Sequence, residues 1–241
     1  MKTIAFYGTS TTAGKGQSFD IVSYLQKQNK NYEFKNFGTG GDTAFNALQR
    51  IDDVVDAKPD ITFIMIGEND VLVNIFPKLK KMLSRMKSSY QQPDLNLYES
   101  NMRTIVQTLK AKTNSKIVLC SLELIGENLV NPSITQQQIN DSIKSHSSIV
   151  KQIANEEMID YLPFYENFYN VILENSHKNL DEINILPMYR DAFRSFILRW
   201  SPDKIGERNG WKFHSDGIHM NSKGAMIFIN LVENYLKSIH I

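Results

Sequence analysis

Near its end the chain reads His214-Ser215-Asp216-Gly217-Ile218-His219. Asp216 and His219 stand three positions apart, and on a tight turn that spacing lets the carboxylate face Nδ1 of the imidazole. A carboxylate placed there fixes the tautomer and leaves Nε2 free as a base. Such a base needs a nucleophile, and Ser10 in Gly8-Thr9-Ser10-Thr11-Thr12 offers an exposed hydroxyl. Acyl transfer also needs donors aimed at a developing oxyanion. Gly41 closes Gly38-Thr39-Gly40-Gly41, and without a side chain its N–H can face a ligand. Asn69, in Gly67-Glu68-Asn69-Asp70, carries an amide that can donate.

These residues need a scaffold that gathers them. Ile4 to Tyr7 is a short apolar run ended by a glycine turn, which suits a strand buried on both faces and delivers Ser10 just past its carboxyl end. Tyr32 to Phe37 alternates as a half-buried strand before the glycine cluster, and Ile61 to Ile66 is the clearest central strand, ending at Gly67. Further strands are predicted over Lys116 to Leu122 and Met158 to Leu162. Helical spacing is predicted over Gln17 to Lys30, Ala44 to Ile51 and Phe76 to Lys87. Three more helices carry Met102, Ile105, Val106 and Leu109; Ile139, Ile143, Val150 and Ile153; and Ala225, Phe228, Ile229, Val232 and Leu236. Ser133 and Gln136 have capping-box spacing. Alternating strands and helices imply parallel pairing, and ligands of open α/β sheets sit at the carboxyl edge. Ser10, Gly41 and Asn69 each follow one of the first three strands to that edge. Between 164 and 213 the pattern loosens into an aromatic-rich stretch, predicted as one or two helices plus loops forming an insertion or lid in an otherwise single domain over 1–241.

The totals fit a globular protein, with 41% hydrophobic and 22% charged residues. A formal net charge of +1 gives no reason to expect a nucleic-acid partner. The one cysteine, Cys120, excludes an internal disulfide and reads as a buried, inert thiol. No apolar run approaches the length of a membrane span, and Met1-Lys2-Thr3 leads straight into the first strand, so a cytoplasmic location is expected. The helix around 76–87 carries Lys78, Lys80, Lys81, Arg85 and Lys87 on one face; a solvated face is the default and contact with an anionic surface the sharper option.

Four blocks in order resemble the GDSL/SGNH hydrolase superfamily. Gly8-Thr9-Ser10-Thr11 matches its Gly-Asp-Ser-Leu block, and Asn36, Gly38 and Gly41 match Asn-x-Gly-x-x-Gly. Gly67, Asn69 and Asp70 complete Gly-x-Asn-Asp, and Asp216 with His219 forms Asp-x-x-His. The resemblance implies a flavodoxin-like three-layer α/β/α sandwich around a parallel five-stranded sheet. It also implies hydrolysis of carboxylic esters through an acyl-enzyme, with no metal or cofactor. Ser10 becomes the nucleophile, His219 the base and Asp216 its orienter. Ser10 N–H, Gly41 N–H and the Asn69 side chain become the oxyanion hole. Thr9 departs from the pattern, standing where the family usually has Asp, so the bonds around the nucleophile must differ.

Other readings compete. Ser10 could cap a helix, Asn69 and Asp70 could form a turn, and His214 could join Asp216 and His219 around a metal. Gly8 to Gly16 resembles a nucleotide-binding phosphate loop, but five residues instead of four separate Gly8 from Gly14, and Gly16 replaces the Ser or Thr that holds magnesium. A non-catalytic, carbohydrate-binding relative would keep the fold without the chemistry. Acyl esters, acetylated sugars, lysophospholipids and thioesters are all open as substrates.

Overall fold

The computed structural model describes residues 1–175 and 185–239. Five strands, β1 (Lys2–Gly8), β2 (Tyr32–Gly38), β3 (Ile61–Met65), β4 (Lys116–Cys120) and β5 (Asp160–Leu162), pair in parallel in the order β2-β1-β3-β4-β5. That is the flavodoxin-like order, with its switch point between β1 and β3. Strand side chains divide the core by alternation. Ile4, Phe6 and Phe63 face one layer, with α2 (Ile21–Gln28), α9 (Phe164–Asn175) and α12 (Ser222–Ser238). Ala5, Tyr7, Ile64, Ile117 and Leu119 face the other, with α3 (Ala44–Leu48), α4 (Ile51–Ala57), α7 (Leu95–Lys112) and the C-terminal half of α8 (Ile134–Glu156). The remaining described helices are α1 (Ser10–Ala13), α5 (Glu68–Ile75), α6 (Pro77–Met86), α10 (Ile185–Phe196) and α11 (Pro202–Asn209).

Strand register explains why distant residues can meet. Gly8 of β1 lies opposite Gly38 of β2 and Met65 of β3, so the three strands end level. Ser10, Gly41 and Asn69 follow two, three and four residues later, at one edge. Gly38 is required by close approach: a Cβ there would lie 2.1 Å from the Ala13 backbone nitrogen, so the short α1 packs directly on the end of β2.

Several local expectations need correction. The helix predicted over Gln17–Lys30 is only Ile21–Gln28, because Asp20 caps it by accepting from Ser23 N–H. The helix predicted over Ala44–Ile51 ends at Leu48, and a second helix, α4, not read in the sequence, begins at Ile51. Gly67, at φ 147°, turns the chain so sharply that Asn69 and Asp70 sit in the first turn of α5 and not in a turn of their own. Ser133 does cap α8, but Gln136 does not complete a box: its amide donates to Ile125 O and Asn140 Oδ1. The fifth strand is shorter than predicted, starting at Asp160, and the fourth ends at Cys120. The stretch 164–213 holds three helices, α9, α10 and α11, and its portion 176–184 lies outside the described residues. Cys120 is buried, and burial pushes its thiol well up from its ordinary value.

Candidate active site

Ser10 is the first residue of α1, and the Thr9 side chain before it makes no cap bond. The serine hydroxyl is not consumed in capping either: Ser10 Oγ lies 3.2 Å from His219 Nε2. On the other side of the ring, His219 Nδ1 lies 2.8 Å from Asp216 Oδ2. Asp216 is buried, and its second oxygen accepts from the N–H groups of Ile218 at 3.0 Å and His219 at 2.8 Å. The sequence-predicted spacing thus makes a tight turn in which one carboxylate oxygen holds the backbone and the other holds the ring. Burial alone would raise the Asp216 pKa, but the imidazole and these N–H groups outweigh it, and the net direction is down. Burial would lower the pKa of His219; the charge and hydrogen bond of Asp216 reverse that, and the net direction is up.

The glycine loop lies against the serine. A Cβ on Gly40 would stand 3.8 Å from Ser10 Cβ. Gly41 has φ 75°, a conformation open to glycine and strained for other residues, and a Cβ there would strike Leu83. Asn69 Nδ2 donates to Asp42 O at 2.9 Å. That bond uses one of the two amide hydrogens and fixes the plane of the amide, leaving the second hydrogen to donate elsewhere. Asp42 is itself buried and paired with Lys87 and Arg50. The Arg50 guanidinium is a three-way tie: Nε to Asp42 Oδ2 at 2.6 Å, Nη1 to Phe37 O at 2.8 Å and Nη2 to Gly8 O at 2.9 Å. It joins the ends of β1 and β2 to the glycine loop. Asp70 accepts from the Ala44 N–H at 2.9 Å, and burial pushes its carboxyl up to about 8.

The threonines on either side of Ser10 each meet a buried carboxyl. Thr9 Oγ1 donates to Glu68 Oε2 at 3.2 Å, and Thr11 Oγ1 donates to Glu123 Oε1 at 2.6 Å. Burial raises the pKa of both. The residues on either side of Ser10 are therefore moored to acids that follow β3 and β4. Neither glutamate, nor Arg50, stood out in the sequence. Glu127 was equally silent: its carboxylate accepts from the N–H groups of Lys212 at 3.0 Å, Phe213 at 2.7 Å and His214 at 3.0 Å. His214 Nδ1 lies 2.9 Å from Glu127 Oε1 and Nε2 lies 2.8 Å from Leu124 O. Both ring nitrogens of His214 are thus engaged in anchoring the root of the Asp216–His219 turn, and neither is free for a metal. Burial would raise the Glu127 pKa, but these partners hold it below the usual carboxylate value. The Gly8–Gly16 segment does not open into a phosphate cradle at its far end, because the Phe196 ring lies on Gly16, 2.7 Å from where a Cβ would be.

Residues 6–227 match the model of the GDSL-like lipase/acylhydrolase family. The chain belongs to this family. It is an ester-bond hydrolase of the GDSL-like acylhydrolase type. Solved structures that share the fold of this family member include the following three. An acetyl xylan esterase is 19% identical with TM-score 0.66, over 97% of this chain and 98% of its own. An acetylxylan esterase from Geobacillus stearothermophilus is 21% identical with TM-score 0.65, over 97% and 93%. A lipase/acylhydrolase from Enterococcus faecalis is 16% identical with TM-score 0.63, over 99% and 96%. Comparison with curated proteins found no match.

Proposed function

We propose that this GDSL-like hydrolase cleaves small acyl esters through an acyl-enzyme on Ser10. The observation that carries the reading is the line from Ser10 Oγ to His219 Nε2 at 3.2 Å and from His219 Nδ1 to Asp216 at 2.8 Å. Ser10 Oγ attacks the carbonyl carbon while Nε2 takes its proton. The oxyanion meets the N–H groups of Ser10 and Gly41 and the free hydrogen of the Asn69 amide. His219 then returns the proton to the departing alcohol, and water, activated by the same ring, releases the acid. Two structural neighbours are named for acetyl xylan, so acetylated sugars are the first esters to test. Variants of the Geobacillus enzyme lacking one serine or one aspartate are described as catalytic mutants, in keeping with this chemistry.

A fluorophosphonate probe should add covalently to the peptide holding Ser10, read by mass spectrometry after digestion. An adduct elsewhere, or none, would overturn the assignment. Asn69→Ala should lower turnover on the order of 10²–10³-fold, as for other oxyanion donors. A loss under about threefold would leave Asn69 as a helix-start residue only. The pH profile follows from His219. The base works only when neutral, and its pKa is raised from 6.5, so kcat/KM should climb with pH through a midpoint above 6.5. A limb centred at or below 6.5 would contradict the ion pair with Asp216.

A further inference from the structure

Over residues 189–196 of helix α10 an acid is buried and the aromatics are exposed. Asp191 is fully buried, bonded to Arg194 at 2.8 Å and to Asn209 at 2.8 Å, while Tyr189, Phe193 and Phe196 are 45%, 55% and 64% exposed. Those aromatics recur at i, i+4 and i+7, so they form one stripe on the side opposite Asp191. Ile197 and Leu198 extend the exposed apolar surface past the helix end. Large apolar side chains left exposed in one contiguous stripe mark a contact surface.

The neighbouring helix says what kind. Tyr189 OH lies 3.5 Å from Met82 Sδ of α6. On α6, Met86 lies one turn beyond Met82 and is exposed, while Lys78, Lys81 and Arg85 lie within about 100° of Met82 around the axis by helical spacing. All three cations are exposed, and none is ion-paired among the described residues. Between Asp70 and Asp94 the sequence contains no acidic residue at all. An apolar stripe joined through Tyr189 and Met82 to a helix carrying unpaired cations is complementary to one occupant in particular, the headgroup and upper acyl region of an anionic bilayer.

We propose that the α10 aromatic stripe and the α6 cations form a docking surface for anionic phospholipid membranes. The surface adjoins the catalytic mouth, because Phe196 rests on Gly16 in the loop that follows the Ser10 helix. Docking sets where the enzyme works, and the cleft sets which ester it cuts, so the surface stands independently of the role given to Ser10.

Co-sedimentation tests it without any catalytic readout. Wild-type protein should pellet with vesicles of equimolar phosphatidylglycerol and phosphatidylcholine in 0.1 M salt, and much less with pure phosphatidylcholine. The pair Phe193→Ser and Phe196→Ser should weaken partitioning by about tenfold or more, since two largely exposed rings lose their apolar contact. Lys78→Glu with Lys81→Glu should lower it by at least about fivefold per charge and remove most of the salt dependence. All four positions are exposed, so the variants should fold, which unchanged circular dichroism melting would verify. No pelleting with the anionic vesicles, or equal pelleting of wild type and variants, overturns the proposal. A concentration-dependent dimer in sedimentation velocity, lost in the phenylalanine variant and accompanied by no vesicle binding, also overturns it and assigns the stripe to a second copy of the chain.

Discussion

Ser10→Ala should abolish ester hydrolysis, lowering turnover on the order of 10⁴-fold or more while leaving the thermal midpoint close to wild type. The two halves of that expectation have separate causes. Under the proposed mechanism the hydroxyl attacks the carbonyl carbon, and the ring nitrogen that would take its proton lies 3.2 Å away. The fold does not depend on it: α1 is held by Thr9 and Thr11 against Glu68 and Glu123, and by the Gly14 N–H bonded to Ser10 O, a backbone contact that alanine keeps. p-Nitrophenyl acetate hydrolysis and a melting curve on the same preparation read both. Turnover within tenfold of wild type would remove Ser10 from the chemistry. A collapsed melting curve would show the serine to be structural.

The five strands and their parallel pairing were legible because four of them end at a glycine or proline and strands alternate with helical patterns, signals that need no tertiary information; the strand order came only from the family resemblance. The shared edge of the candidate site residues was legible for a related reason: Ser10, Gly41 and Asn69 follow successive strands, and level strand ends place residues a few positions beyond them at one edge. The supports were not legible. Glu127 lies 87 residues from His214, and nothing about a glutamate in Gly126-Glu127-Asn128 says that three N–H groups will converge on it. Nothing in Gly67-Glu68-Asn69-Asp70 says that the Glu68 side chain will be buried, as it is. Within the aromatic segment the sequence did not say which rings would be buried. Phe164 and Phe168 are core, but Phe193 and Phe196, at equally helical spacing, are exposed. Periodicity reveals that a helix has a face, and only the neighbours reveal which way it turns.

The sharpest test of that buried scaffolding is Asp216→Asn, which changes one atom type and no volume. Asp216 must accept on both sides: Oδ2 from His219 Nδ1, and Oδ1 from the N–H groups of Ile218 and His219. An amide has only one accepting oxygen. If its oxygen keeps the two backbone N–H groups, its NH₂ faces Nδ1, which must then become the acceptor, and the proton moves to Nε2, the very atom that has to take the proton of Ser10. If the amide turns over, its NH₂ faces two donors and the 216–219 turn loses its anchor. Either way the base is spoiled, and turnover should fall on the order of 10⁴-fold. The charge that raises the His219 pKa is lost as well, so any residual activity should show its alkaline climb at lower pH than wild type. kcat measured from pH 5.5 to 9 on the purified variant reads both effects. A fall of less than tenfold, with the climb unmoved, would mean that the imidazole does not depend on Asp216 for either its tautomer or its charge.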